Sequence, residues 1–246
     1  MSKPVVETFS GTEELVQAAA ARFVARVVEA QRLRGSASVV LTGGGTGIGL
    51  LEWVRKAPGD IDWSTLDIFW GDERFVPVGD PERNDLQARA ALLDHVPLDP
   101  ARVHPTETSS GDYPDPIEAA GEYSATVHAY LAEHGAFDLH LLGMGGEGHV
   151  NSLFPHTDAT REERELVVAE THSPKPPAVR VTLTLPAIRR SRHVMLIVGG
   201  EAKAAAVAAA LNGASHLDVP AAGAIGTEST TWLLDEGAAA DLPPRS

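Results

Sequence analysis

Three times along this chain a short, unbroken apolar run ends in a burst of glycines or charges. Ser38-Val39-Val40-Leu41 runs into Thr42-Gly43-Gly44-Gly45-Thr46-Gly47. Leu66-Asp67-Ile68-Phe69-Trp70 runs into Gly71-Asp72-Glu73-Arg74, and the run over 137–142 ends in Gly143-Met144-Gly145-Gly146-Glu147-Gly148-His149. Runs of this kind suit strands buried on both faces, which occur where helices cover a parallel sheet. Helical spacing fills the gaps between them. Residues 12–33 place Leu15, Ala19, Phe23, Val24 and Val27 on one stripe. Residues 48–55, 84–95, 117–134 and 201–211 read as further helices. Additional strands are expected at 5–9, 179–185, 193–198 and 230–234. The expectation is an α/β chain in which residues 1–246 form a single three-layer αβα domain around a mostly parallel, Rossmann-like sheet. The tail, residues 241–246, is expected to fray.

In an open parallel sheet, ligands bind in the crevice beyond the carboxyl ends of the strands. All three bursts lie at such ends, which makes them the candidate site. The glycine run 43–45 with Thr46 can offer backbone N–H groups and a hydroxyl to an anion at a helix N-terminus. It does not match the dinucleotide fingerprint, since the sixth position counted from Gly43 is Ile48. No Gly-Lys-Ser or Gly-Lys-Thr follows, so it is no Walker loop either. Asp72 and Arg74 follow the second strand: arginine can clamp an anion in two places, and aspartate can orient a base or a hydroxyl. His149 is the most specific feature, because flanking glycines expose an imidazole that can take a proton from water near neutrality.

Charge sharpens the reading. The 246 residues carry 20 basic and 34 acidic side chains, a formal net charge of −14. That balance disfavours nucleic acid and anionic membrane surfaces as partners. A small anionic ligand would need a local basic cluster. Lys175 in Ser173-Pro174-Lys175-Pro176-Pro177, Arg180 just beyond it, and Lys203 after the Gly199-Gly200 turn can supply one together with Arg74. There is no cysteine, hence no disulfide, thiolate metal site or thiol nucleophile. No G-x-S-x-G elbow and no metal-ligand spacing is present, so neither a metal nor a cofactor is expected. The opening residues lack the long apolar run of a secretory signal, and a cytoplasmic location is expected.

These motifs, taken in order, resemble the 6-phosphogluconolactonase family. The resemblance rests on Gly71-Asp72-Glu73-Arg74-Phe75-Val76-Pro77, Leu142-Gly143-Met144-Gly145 with Gly148-His149, and Ser152-Leu153-Phe154-Pro155. Ser173 to Pro177 followed by Arg180-Val181-Thr182-Leu183-Thr184, and Gly200-Glu201-Ala202-Lys203, complete it. It implies metal-free hydrolysis of 6-phospho-D-glucono-1,5-lactone in the oxidative pentose phosphate route, with the sugar phosphate lactone as the small-molecule partner. His149 would be the general base, with Asp72 beside it in the catalytic pair. Gly43, Gly44, Gly45, Thr46, Arg74, Lys175, Arg180 and Lys203 would share the phosphate and the oxyanion. The chain departs from the family pattern at Glu147, where aspartate is usual, at Asn151, where a small residue is usual, and at Gly45, where serine is common. Two alternatives accompany this reading. One is a glucosamine-6-phosphate deaminase, whose family carries Phe-Asn-Glu-Pro where this chain has Ser-Leu-Phe-Pro. The other is a sugar-phosphate sensor that has lost its chemistry.

Overall fold

The apolar runs do become strands, and the spacing of the glycines decides where each strand stops. A computed structural model describes residues 3–243. In chain order it contains β1 (Val5–Phe9), α1 (Thr12–Arg34), β2 (Ala37–Leu41), α2 (Gly44–Lys56), β3 (Leu66–Trp70) and β4 (Asp72–Arg74). There follow α3 (Asn84–Ala91), β5 (Val103–His104), α4 (Pro116–His134), β6 (Phe137–Leu142), α5 (Asp158–Arg161) and β7 (Val167–Glu170). The chain continues with β8 (Arg180–Leu183), α6 (Leu185–Ile188), β9 (Ser191–Val198), α7 (Ala204–Leu211) and β10 (Ser229–Asp235).

Seven strands form one sheet in the order β1-β10-β9-β6-β2-β3-β5, with every described pairing parallel. Val39 and Val40, adjacent on β2, face opposite layers, as the period of two requires. Val39, Leu41, Ile68 and Leu139 pack under α1 and α2 through Phe23, Leu50 and Val54. On the other face, Val40, Phe69 and Phe137 meet Tyr123 and Val127 of α4, while Leu196 and Leu234 meet Val207 of α7. This is the expected three-layer αβα arrangement. The helices are closed by local chemistry: Gly35 ends α1 at φ 80°, and Asp115 caps α4 by accepting from the Ile117 amide at 2.7 Å.

A second sheet departs from the expectation. β4, β8 and β7 form a small antiparallel sheet in the order β4-β8-β7. The strand expected over 179–185 is thus Arg180–Leu183, and it lies outside the parallel sheet. The charges Asp72 to Arg74 are themselves a strand and not a loop at a strand end. Other boundaries move as well. The helix expected from residue 48 already begins at Gly44, which puts the glycines into its first turn. The segment 84–95 divides into α3 and a 3-10 turn at Leu93–His95, and 201–211 divides into a 3-10 turn at Glu201–Lys203 followed by α7. Of the tail, Leu242 closes a hydrogen-bonded turn onto Ala239 and packs on the apolar layer, whereas residues 244–246 lie outside the described residues. Among the described residues, no helix is long and apolar enough to cross a membrane.

The neighbours of β2 fix where a ligand can sit. The chain leaves β2 toward β3 on one side, while β6 and the strands beyond it extend on the other, so the order reverses between β2 and β6. The loops after these two strands touch: the Gly143 amide donates to Thr42 Oγ1 at 3.1 Å.

Candidate active site

The floor of the crevice is backbone. Gly43 leads into α2, whose first-turn amides have no partner within the helix. A side chain at Gly43 would overlap the Asn84 amide, and Gly44 adopts φ 80°, so glycine is required at both. Thr46 sits one turn into α2 with its hydroxyl 3.4 Å from the Ile197 carbonyl of β9.

One wall is the small antiparallel sheet. Its register sets Asp72 opposite Thr182 and Arg74 opposite Arg180. Directly opposed residues share a face, so Asp72, Arg74 and Arg180 line the crevice while Glu73 and Val181 point away. Two like charges in a cross-strand pair repel, and burial first, then the Arg74 charge, lowers Arg180 below the usual arginine range against the pull of Asp72. An anion between them would relieve that repulsion. Asp72 is buried and accepts from Ser152 Oγ at 2.6 Å, with Arg180 Nη1 at 3.7 Å from the same carboxylate oxygen. Arg180 also donates to the Pro177 carbonyl at 3.0 Å and the Lys175 carbonyl at 3.2 Å, so it holds the proline loop as well as the aspartate. Arg74 Nη1 donates to the Glu82 carbonyl at 3.0 Å and to Asn84 Oδ1, its Nε is buried without a partner among the described residues, and the side chain borders the crevice.

Beneath that wall lies Glu73, which is almost fully buried. Its carboxylate accepts from the amides of Arg74 (2.8 Å), Asn84 (2.7 Å) and Asp85 (2.9 Å), with Arg83 at 3.7 Å. Burial pushes it up to about 7, against the pull of Arg83 and those amides. The result is a cap on α3 that fixes Asn84, whose side chain in turn donates to the Asp72 carbonyl at 2.8 Å.

The opposite wall follows β6. Gly145 and Gly148 let the loop fold back on itself: the Gly145 amide donates to the His149 carbonyl at 3.0 Å, and Gly148 takes φ 88°. A side chain at Gly145 would overlap the His149 ring. The His149 Nδ1 lies 3.2 Å from Glu147 Oε1 and 3.5 Å from Lys175 Nζ, and its ring packs on Phe154 at 4.5 Å between centroids. Burial and the Lys175 charge hold the imidazole below its ordinary range, partly offset by Glu147 and Asp72. Lys175 Nζ also contacts Glu147 Oε1 at 2.9 Å. Burial pulls Glu147 up, but its own backbone amide, Lys175 and His149 outweigh that, so it stays below the usual carboxylate range.

At the far end stands Lys203, half-buried beside the N-terminus of α7. Burial lowers its ammonium below the lysine range, Asp235 opposes this, and Lys175 adds to it. Among the described residues, no carboxylate pairs with that ammonium within 4 Å, and the Asp235 charge acts on it from farther off.

Gly43, Gly44, Gly45, Thr46, Asp72, Arg74, His149, Lys175, Arg180 and Lys203 all border one cleft of about 540 Å³. Every candidate picked from the sequence is therefore brought to the same place. Asn84 and Asn151 border it too and were not picked. Ser152, which bonds Asp72, enters the sequence reading only as part of the Ser152–Pro155 motif. An asparagine at the start of a helix is a cap signal, which could have drawn attention to Asn84. The Ser152 contact depends on pairing across 80 residues, which local sequence does not show. Among the described residues, no group of three or more His, Cys, Asp or Glu side chains is placed to hold a metal ion.

Comparison with known proteins agrees in scope. Residues 10–232 match the family described as glucosamine-6-phosphate isomerases/6-phosphogluconolactonase. The chain is 51% identical to the 6-phosphogluconolactonase of Mycobacterium leprae, over 97% of this chain and 98% of that protein. It is 52% identical to the 6-phosphogluconolactonase of Streptomyces coelicolor, over 94% of this chain and 92% of that one. The solved 6-phosphogluconolactonase from Trypanosoma cruzi superposes with a TM-score of 0.85 at 26% identity, covering 99% of both chains.

Proposed function

The chain belongs to the glucosamine-6-phosphate isomerase/6-phosphogluconolactonase family, and on that premise we propose that it hydrolyses 6-phospho-D-glucono-1,5-lactone to 6-phospho-D-gluconate, a step of the oxidative pentose phosphate route. The observation that carries the catalytic part is the setting of His149. Its Nδ1 is engaged by Glu147, so the proton sits there and the Nε2 lone pair is left to accept another. Burial and Lys175 keep the ring neutral at neutral pH, as a general base requires.

Water attacks the lactone carbonyl from the His149 side. Its oxygen bonds to C1 while His149 Nε2 takes its proton, and the carbonyl oxygen becomes an oxyanion. Glu147 and Asp72 favour the imidazolium that forms. Collapse of the oxyanion breaks the bond from C1 to the ring oxygen, which takes the proton back from His149. The free acid then ionises. Asp72, tied to Ser152 and Arg180, acts in this scheme as a fixed charge rather than as the base. The reading needs no metal and no cofactor, since side chains and amides supply the base and the anion contacts.

The two ends of the cleft divide the anions between them. The phosphate belongs at the α2 amides, Thr46 and Lys203, because among the described residues no carboxylate pairs with the Lys203 ammonium within 4 Å, Asp235 acting on it only from farther off, and a helix N-terminus favours anions. The oxyanion belongs near Arg74, Arg180 and Lys175, on the His149 side. Lactone opening is favoured over deamination by what lies against His149: the ring of Phe154 and no second carboxylate from that segment. A sensor without chemistry would not need the Glu147-oriented imidazole. A cytoplasmic location fits the same reading, since a phosphorylated sugar does not cross a bilayer unaided.

The test generates the lactone in situ and follows acid release against the spontaneous rate. Ammonia release from glucosamine-6-phosphate is followed in parallel with the same preparation. Acid release well above background without ammonia is expected. Comparable ammonia production would transfer the assignment to the deaminase, and neither activity would leave the sensor.

A further inference from the structure

Asn151 stands where the family resemblance leads one to expect a small residue, and its surroundings are unusual for a chance substitution. It adopts φ 49°, a left-handed conformation that asparagine tolerates better than most residues. It is only 7% exposed, yet it borders the catalytic cleft between His149 and Ser152. Its Oδ1 is buried without a hydrogen-bond partner. So is Nε2 of His140, a fully buried imidazole on β6 whose Nδ1 lies 3.3 Å from Ser191 Oγ. Burial pushes His140 down to about 3, and a side-chain interaction with Asn151 pulls the other way.

Two buried, unsatisfied polar atoms that act on each other are best understood as a pair. His140 is neutral at any physiological pH, so one ring nitrogen carries a proton and the other accepts. With Nε2 protonated, Nδ1 accepts from the Ser191 hydroxyl, and the Nε2–H, which has no hydrogen-bond partner among the described residues, is the donor left to meet the equally unpartnered Asn151 Oδ1. Such a pairing would set the amide orientation and direct its NH₂ the other way. One amide proton meets the Leu183 carbonyl, at a long 3.4 Å. The second is left for the cleft that Asn151 borders.

We propose that Asn151 is a specificity-determining residue of this chain, an amide donor oriented by His140 that holds a hydroxyl of the sugar lactone beside His149. The inference rests on the lactonase reading and adds a substrate contact to it. A positioned donor matters here because the lactone carries several hydroxyls, and holding one sets the angle at which the carbonyl meets the base. The amides of the glycine floor and the guanidinium groups of the cation wall are suited to anions. They read charge.

Asn151→Ala is the informative variant, since the family pattern accommodates a small residue there. The lactonase assay on wild type and variant is expected to give a KM raised roughly three- to tenfold, the factor carried by one hydrogen bond of ordinary net strength, with kcat within about twofold. Thermal unfolding of both proteins accompanies the assay. An unchanged KM overturns the proposal, as does a loss of kcat that parallels a loss of folded protein. Absence of lactonase activity in the wild type would instead strike the lactonase reading itself. A second measurement is independent of activity: ¹⁵N-edited NMR of the histidine ring nitrogens. Nε2-protonated His140 is expected in the wild type, with its Nε2 resonance displaced in Asn151→Ala. An Nδ1-protonated His140, or a resonance indifferent to the substitution, overturns the orienting pair.

Discussion

The floor and the cation wall of the cleft are built in opposite ways. The floor, residues 43–47, together with the 143–149 loop of the opposite wall that lies on it, uses backbone: amides at the start of α2, and glycines that let one loop lie on another. The wall formed by β4 and β8 uses side chains, with Asp72, Arg74 and Arg180 held by Ser152, Asn84 and the Glu73 cap. A backbone site has few ways to vary, because removing an amide means moving the chain. A side-chain site varies by single substitutions but needs a second layer to hold it. In this chain, the departures from the family pattern at Glu147 and Asn151 fall on side chains around His149, while Gly45 removes a hydroxyl and leaves the amides.

His149 is where the two constructions meet, and removing it should have the largest effect. His149→Ala is expected to lower kcat by ~10²–10⁴-fold, the range of general-base catalysis, with binding of the product acid retained. The measurement is steady-state kinetics alongside calorimetric titration of 6-phosphogluconate. A variant keeping more than half the wild-type rate would take His149 out of the chemistry and leave the floor as a binding surface only.

The next effect separates the ends of the cleft. Lys203→Met is expected to raise KM for the phosphorylated lactone by ~10–100-fold, as the loss of a hydrogen bond between charged groups does. The same change should leave hydrolysis of unphosphorylated gluconolactone unaltered. If both substrates suffer equally, the phosphate does not lie at the α2 and α7 end.

These differences also explain what could be read from the sequence. The floor was legible because each part is contiguous: an apolar strand, then glycines, then a helix, with the period of the side chains changing at the join. Even there the helix starts at Gly44 and not Ile48, since glycine runs do not advertise helix. The wall was half legible. Asp72 and Arg74 announced themselves as charges after a buried strand, but their being a strand depends on pairing with residues 180–182, more than a hundred positions away. The alternation at 179–185 carried no sign of which sheet it would join. β7 and the two-residue β5 passed unnoticed, being too short to show a period. Glu73 drew no reading of its own, because one charge among three gives no hint that it alone turns away from the crevice.

Glu73 offers a way to break the wall without touching the floor. Glu73→Gln replaces a carboxylate that accepts from three amides with a group bearing one acceptor oxygen. A loss of about 1–3 kcal/mol in stability is expected, read from denaturant unfolding at neutral pH. With the folded carboxyl raised to about 7 from 4.5, its contribution to stability is greatest below about pH 4.5 and declines as pH rises to about 7. The wild-type stability curve should therefore slope downward across that window relative to the variant. Parallel curves would mean that Glu73 is already ionised at the lower end.

The smallest effect is the most diagnostic of how floor and wall communicate, because it passes through one nitrogen. Lys175 and Glu147 both reach His149 Nδ1, at 3.5 and 3.2 Å, and they act on it with opposite sign. Lys175 lowers the imidazole and Glu147 raises it. The base works only when neutral, so kcat/KM falls as pH falls through the His149 pKa, and the acid limb reports that pKa in the free enzyme. Lys175→Met removes the cation and leaves Glu147 unpaired beside the ring, so both changes raise the pKa and the limb moves to higher pH. Glu147→Gln removes the anion and leaves Lys175 unpaired, so the limb moves to lower pH. Side-chain loss of either kind also changes KM, which is why the position of the limb, and not the plateau, is the quantity to compare. Opposite displacements would tie the proline loop to the chemistry through charge. Displacements in the same direction would mean that the two residues act by shaping the loop, and that the wall reaches His149 through geometry alone.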